Sequence, residues 1–130
     1  MNIDHMKQDL TAFIKGFKYA FDGIIVGIKA RHMRGHRFVA IAVVALGLLV
    51  SLTRNEWMMV VISIGMVFSA ELFNTAIENL ADILRDEDNL SYQATKNARD
   101  LAAGAVLMVS IATAIVGAVI FLPKMVGILL

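Results

Sequence analysis

The chain is predicted to be an all-α integral membrane protein, with an amino-terminal amphipathic surface helix followed by three transmembrane helices. Three observations predict this class. The composition is 58% hydrophobic over 130 residues, too apolar for an ordinary soluble fold of this size. A single proline leaves the apolar runs free to form long unbroken helices. Those runs are Phe38–Leu52, Trp57–Leu80 and Leu101–Leu122.

The surface helix is expected over about residues 8–30. Leu10, Phe13, Ile14, Phe17, Phe21, Ile24, Ile25 and Ile28 recur at spacings of three and four, while Lys7, Lys15, Lys18 and Asp22 fall largely elsewhere. That is the pattern of a helix lying in the membrane interface. The preceding Met1–Gln8 carries Asp4 and Lys7 and shows no small-residue cleavage site after an early apolar core, so a signal peptide is not expected.

Lys29–Arg37 is a basic hinge into the first span, with Gly35 expected to permit the bend. A span takes about 20 predominantly apolar residues. The third run meets that outright. The first two need their flanks, and the second must carry Glu71 within it. The spans are placed at about 36–53, 56–84 and 92–122, in one membrane-embedded domain covering 1–130. The turn Thr53–Glu56 is nearly neutral, whereas the hinge and the Arg85–Asp100 loop carry cations. Basic flanks favour the cytoplasmic side. A multi-pass cell-membrane protein is therefore expected, with its amino terminus and the Glu78 end of the second span facing the cytoplasm. Trp57 would anchor the opposite interface. Ser91 is a plausible cap for the last helix.

The most informative segment is Ala70–Asp82. Glu71, Asn74, Glu78 and Asp82 are three, four and four residues apart, on one face of one helix. An ionisable group near hydrocarbon costs about 2.5 kcal/mol or more even on lenient insertion scales. Packing does not require that cost, so chemistry is the better reason for it. Glu78, near the interface, suits a hard cation such as Mg²⁺, which is held by one or two carboxylates and substrate phosphates. Glu71, one heptad deeper, stands where a lipid head group could reach, and a desolvated carboxylate there can act as general base. Asn74 lies between them and can orient either group or the substrate. At the start of the third span, Lys96 and Arg99 could hold phosphate oxygens, with Asp100 beside them. These parts suit phosphoryl transfer to a membrane-embedded hydroxyl, a reaction that requires mainly positioning and charge neutralisation.

Other features have plainer readings. Asp82 reads as a solvated or capping residue rather than a ligand. His32 and His36 are four apart, as a metal pair would be, but flanking arginines disfavour a cation between them. Eight methionines read as apolar filler, and Ala102–Ala105 as a close-packing stretch. With no cysteine there is no disulfide, thiolate metal site or cysteine nucleophile. No GxxxxGK[ST], kinase-type glycine loop or GxSxG occurs, so any ATP site must be built from helix ends.

The run from Glu71 through Asn74 to Glu78, followed by Lys96-Asn97-Ala98-Arg99-Asp100 and Gly104, closely resembles the prokaryotic diacylglycerol kinase family. Phe17–Gly23 and Phe121–Lys124 resemble its Gram-positive branch, the undecaprenol kinases. The resemblance covers nearly the whole chain. It implies a homotrimer of three-span subunits that phosphorylates a membrane lipid hydroxyl with Mg-ATP: undecaprenol first, diacylglycerol as the alternative. It implies Glu71 as catalytic base, Glu78 as a metal ligand, and Tyr19, Arg99 and Asp100 around the nucleotide. It also implies sites shared between neighbouring subunits, in keeping with the expectation that one chain's spans cannot surround Glu71 well. One departure stands out. The family carries a metal-binding glutamate in the hinge, where this chain has Ala30, and the preceding stretch is about one residue short. A methyl group cannot ligate Mg²⁺, so a trimer with weakened or lost kinase activity is the second alternative. Arg99 also stands where lysine is usual, which keeps the charge and changes the geometry.

Overall fold

The computed structural model describes residues 3–129. Four helices follow in order: α1 Ile3–Lys29, α2 Met33–Leu49, α3 Arg54–Glu87 and α4 Tyr92–Leu129. Helix α1 starts several residues before the expected position. Its polar first turns have no apolar period to betray them, but nothing in them breaks a helix, and Thr11 Oγ1 donates to the Lys7 carbonyl at 2.8 Å. The apolar side chains that predicted an interfacial helix, including Leu10, Phe13, Ile14, Phe17 and Phe21, are more than half exposed. That leaves them available to lipid. Phe13 and Phe17 meet edge to face, with centroids 4.9 Å apart.

The hinge corrects one expectation. The chain turns by 92° between α1 and α2. The break lies at residues 30–32, and Gly35 is already inside α2. The nearby glycine with a packing role is Gly27, which is buried so closely against Leu72 that an added Cβ would overlap that side chain.

Helix α2 ends in a tight turn. Ser51 takes a left-handed conformation with φ 52°. Leu52 N–H donates to the Gly47 carbonyl at 3.1 Å and Ser51 N–H to that of Leu48 at 3.4 Å, the bonds of a Schellman ending. Thr53 then caps α3 through a reciprocal box with Glu56. At the other end of α3, Asn89 supplies a second left-handed residue, φ 53°. Ser91 Oγ accepts from Ala94 N–H at 3.3 Å, the cap expected for α4. Helix α4 runs on past Pro123, beyond the expected end of the span.

Helices α3 and α4 are each long and apolar enough to cross a membrane. At about 1.5 Å per residue, their 34 and 38 residues exceed the roughly 30 Å hydrocarbon layer, so their ends project beyond it. Helix α2, with 17 residues, reaches only the lower end of the spanning range. The protein is thus an all-α membrane protein with two helices, α3 and α4, long enough to cross a membrane, and up to three spans if the bent α1–α2 pair counts as one.

The packing separates into two ends. Towards the α2–α3 turn, Leu52, Val60, Ile120 and Phe121 form an apolar cluster, flanked by Trp57 and Val116. Lys124 Nζ lies 3.2 Å from Glu56 there and ties α4 to the start of α3. Gly47 is buried in this end, and an added Cβ would meet Leu52 at 2.8 Å and Trp57 at 3.0 Å. Overpacking at such a site costs roughly 1–3 kcal/mol. Gly47→Val is accordingly expected to lower the midpoint of denaturant unfolding in detergent, and an unchanged midpoint would contradict this packing. The buried polar residues Glu71, Asn74 and Thr95 lie towards the opposite end.

Candidate active site

The predicted polar face of α3 is present and graded. Glu71 and Asn74 are 5% and 6% exposed. The Glu78 side chain is 27% exposed and that of Asp82 46%. Helical periodicity alone aligns these four; the turn at residues 50–53, which folds α2 back against α3, determines what faces them.

Two histidines do. His36 Nε2 lies 2.8 Å from Glu71 Oε1, and His32 Nε2 lies 3.4 Å from Glu78 Oε2. The two imidazoles, one turn apart at the start of α2, face two carboxylates that are two turns apart on α3. The spacing of His32 and His36 was legible in sequence, but it suggested only a pair binding one ion together. In the structure each instead meets its own acid. Asn74 sits between the acids and donates from Nδ2 to Glu78 Oε1 at 3.3 Å.

Burial here is achieved within one chain. That corrects the expectation that a single chain cannot surround Glu71. It also leaves acceptors unsatisfied: Glu71 Oε2 and Asn74 Oδ1 are buried without a hydrogen-bond partner among the described residues. Such orphaned oxygens cost about 1–3 kcal/mol each. They fit a site completed by a cation or by a donor on a bound substrate.

The start of α4 supplies the cationic side. Arg99 Nη2 reaches across to Asp82 Oδ1 at 2.7 Å, one helical turn from Glu78. The Arg99 side chain is only 14% exposed and lies over the Tyr92 ring, 5.4 Å from its centroid. Through Arg99, Asp82 ties α3 to α4 rather than being the merely solvated or capping group expected, and it also meets Arg85 of its own helix at 3.1 Å. Arg85 itself, beside Asp86, is held more firmly protonated by that carboxylate. Lys96 and Asp100 pair with one another along the exposed face of α4. Tyr19 is not brought into this group. It is 68% exposed on α1 and makes no hydrogen bond with the α3 carboxylates among the described residues.

Below Glu71 an apolar cavity of about 530 Å³ opens between α2, α3 and α4. His36 stands in its wall, which otherwise includes Val39, Ile64, Phe68, Thr113 and Phe121. A polar, acid-rich head thus continues into an apolar groove.

Comparison with known proteins identifies the family. The family profile for prokaryotic diacylglycerol kinase matches residues 18–121. The chain is 40% identical over 123 residues to the undecaprenol kinase of Bacillus subtilis (strain 168), covering 94% of this chain and 97% of that protein. It is 32% identical over 114 residues to a diacylglycerol kinase of Synechocystis sp. (strain ATCC 27184 / PCC 6803 / Kazusa), covering 87% of this chain and 64% of that protein. No solved structure gives a comparable match. The resemblance to the family and to its undecaprenol kinase branch is therefore borne out. With its acid ladder on α3 and its paired cations on α4 both inside the matched region, the chain belongs to the prokaryotic diacylglycerol kinase family of lipid kinases.

Proposed function

We propose that this protein transfers the γ-phosphoryl group of ATP to the hydroxyl of undecaprenol at the cytoplasmic face of the membrane. The observation that carries the reading is the buried Glu71, with one oxygen unpartnered and the other on His36, which stands in the wall of the apolar cavity. The groove is apolar, as the hydroxyl-bearing end of a polyisoprenoid requires, and a hydroxyl held near His36 would lie close to Glu71. Glu71 takes the hydroxyl proton as the oxygen attacks phosphorus. His36, within hydrogen-bond reach, positions that carboxylate. Asn74 orients the space between the two acids.

Glu78 is the carboxylate suited to a metal ion, with Asn74 Oδ1 the nearby unpaired acceptor. A bound Mg²⁺ would supply neutralisation of phosphate charge. Lys96, Arg99 and Asp100 stand at the same end of the molecule and are the proposed nucleotide residues. Lys96 and Arg99 must exchange their carboxylate partners for phosphate oxygens to serve there. Tyr19 is retained as a nucleotide contact on the resemblance alone, across the α1 surface. A homotrimer is proposed on the same ground, and the extensive exposed apolar surface of α2, α3 and α4 is compatible with it.

The lipid is tested by competition. With undecaprenol and diacylglycerol at equal mole fraction in one bilayer, the prenol is expected to be phosphorylated faster. A faster rate for diacylglycerol would transfer the assignment to that lipid. The 40% against 32% identity favours the prenol.

A further inference from the structure

We propose that the outer face of α2 holds an anionic phospholipid, with its phosphate on Arg37 and one acyl chain lying along the helix towards Leu48.

A second apolar groove, of about 510 Å³, runs along this face. Ile28 of α1 and Arg37 of α2 stand in its wall, with Ile41, Val44 and Leu48 further along α2 and Phe68 on α3. Arg37, Ile41, Val44 and Leu48 are four, three and four residues apart, so they share one face of the helix. Among the described residues of the wall, Arg37 alone is charged. The groove thus has a cationic head and an apolar body.

The head lacks a counter-charge. Neither Arg34 nor Arg37 forms an ion pair among the described residues. They are three residues apart in the first turns of α2, where like charges repel. Arg37 is half-buried and Arg34 exposed. A phosphodiester beside them supplies the anion, and a guanidinium offers a forked pair of donors suited to two phosphate oxygens. His36, one residue before Arg37, faces Glu71, so adjacent positions of α2 serve the acid and the groove separately.

Length selects the occupant. Arg37 and Leu48 are eleven residues apart, about 16 Å of helix at 1.5 Å per residue. That is close to half of a hydrocarbon layer about 30 Å thick, the depth of one leaflet. An acyl chain whose phosphate sits at the interface has that reach. The much longer undecaprenyl chain of the proposed substrate would overrun it. The groove is also separate from the cavity below Glu71, although Ala40, Ile64 and Phe68 line both. A chain seated here packs on the back of that cavity.

The test is native mass spectrometry of the full-length protein, released from detergent that contains equal amounts of phosphatidylglycerol and phosphatidylcholine with identical acyl chains. The expected result is a phosphatidylglycerol adduct favoured about fivefold, the worth of one arginine near an anionic surface. Arg37→Gln should abolish the preference. Arg31→Gln, at an exposed hinge cation outside the groove, should retain it. Ala45→Phe fills the groove from an exposed position of α2 and should lower both adducts by a similar factor. Equal binding of the two lipids overturns the site. So does an equal loss of preference in Arg31→Gln and Arg37→Gln, which would reduce Arg37 to an arginine snorkelling among bulk head groups. Displacement of phosphatidylglycerol by an equal concentration of undecaprenyl phosphate overturns the choice of occupant. The readout is the mass of bound lipid, so each outcome is independent of the kinase reading.

Discussion

Glu71→Gln is expected to lower the rate of lipid phosphorylation about 10²–10⁴-fold, the usual worth of a general base. The substitution keeps the shape of the side chain, and an amide oxygen can still face His36. What it removes is the ability to accept the hydroxyl proton. ATP affinity should therefore change little, because Glu78, Lys96 and Arg99 are untouched. The check is turnover in bilayers beside equilibrium nucleotide binding on the same sample. Near-normal turnover would remove Glu71 from the base role. Parallel loss of nucleotide binding would make it a structural group instead.

Glu78→Ala is expected to act on the metal rather than on the proton. It removes the carboxylate that faces His32 and accepts from Asn74. Metal dependence should rise by at least about tenfold, or the reaction should stop, since metal-site partners are worth about 10–100-fold in affinity. Glu78→Gln separates charge from shape. It preserves an acceptor for Asn74 and loses the negative charge, so it should resemble the alanine variant in metal requirement. A rate profile unchanged across metal concentration in both variants would assign the metal elsewhere.

Much of the fold was legible because it is local. The apolar face of α1 follows from the spacing Leu10, Phe13, Ile14, Phe17. The cap at Ser91 follows from residue type. The alignment of Glu71, Asn74, Glu78 and Asp82 needs only 3.6 residues per turn. Boundaries were less legible where hydrophobic period and helix formation part company. The polar first turns of α1 are helical without an apolar stripe, and α4 continues through Pro123 although proline removes a hydrogen bond.

The partners of the acids were not legible. His36 lies 35 positions before Glu71 and His32 lies 46 before Glu78, as their numbers give. Their meeting depends on the turn at residues 50–53 and on the packing of α2 against α3 that it permits. Neither is encoded in the period of any one helix. The same holds for Arg99 and Asp82, which read separately as a phosphate ligand and a solvated acid but join two helices. The bend itself was anticipated, but Gly35 was the wrong place for it. A conformationally permissive residue marks where a chain can turn, and here the turn falls where α1 runs out.

The most direct measurement is transfer of radiolabelled phosphate from Mg-ATP to undecaprenol by purified protein in bilayers, with diacylglycerol run separately. Undecaprenyl phosphate is the predicted product, despite the alanine at position 30. No transfer to either lipid, from folded protein beside an active relative, would contradict the account and favour a family member that has lost its activity.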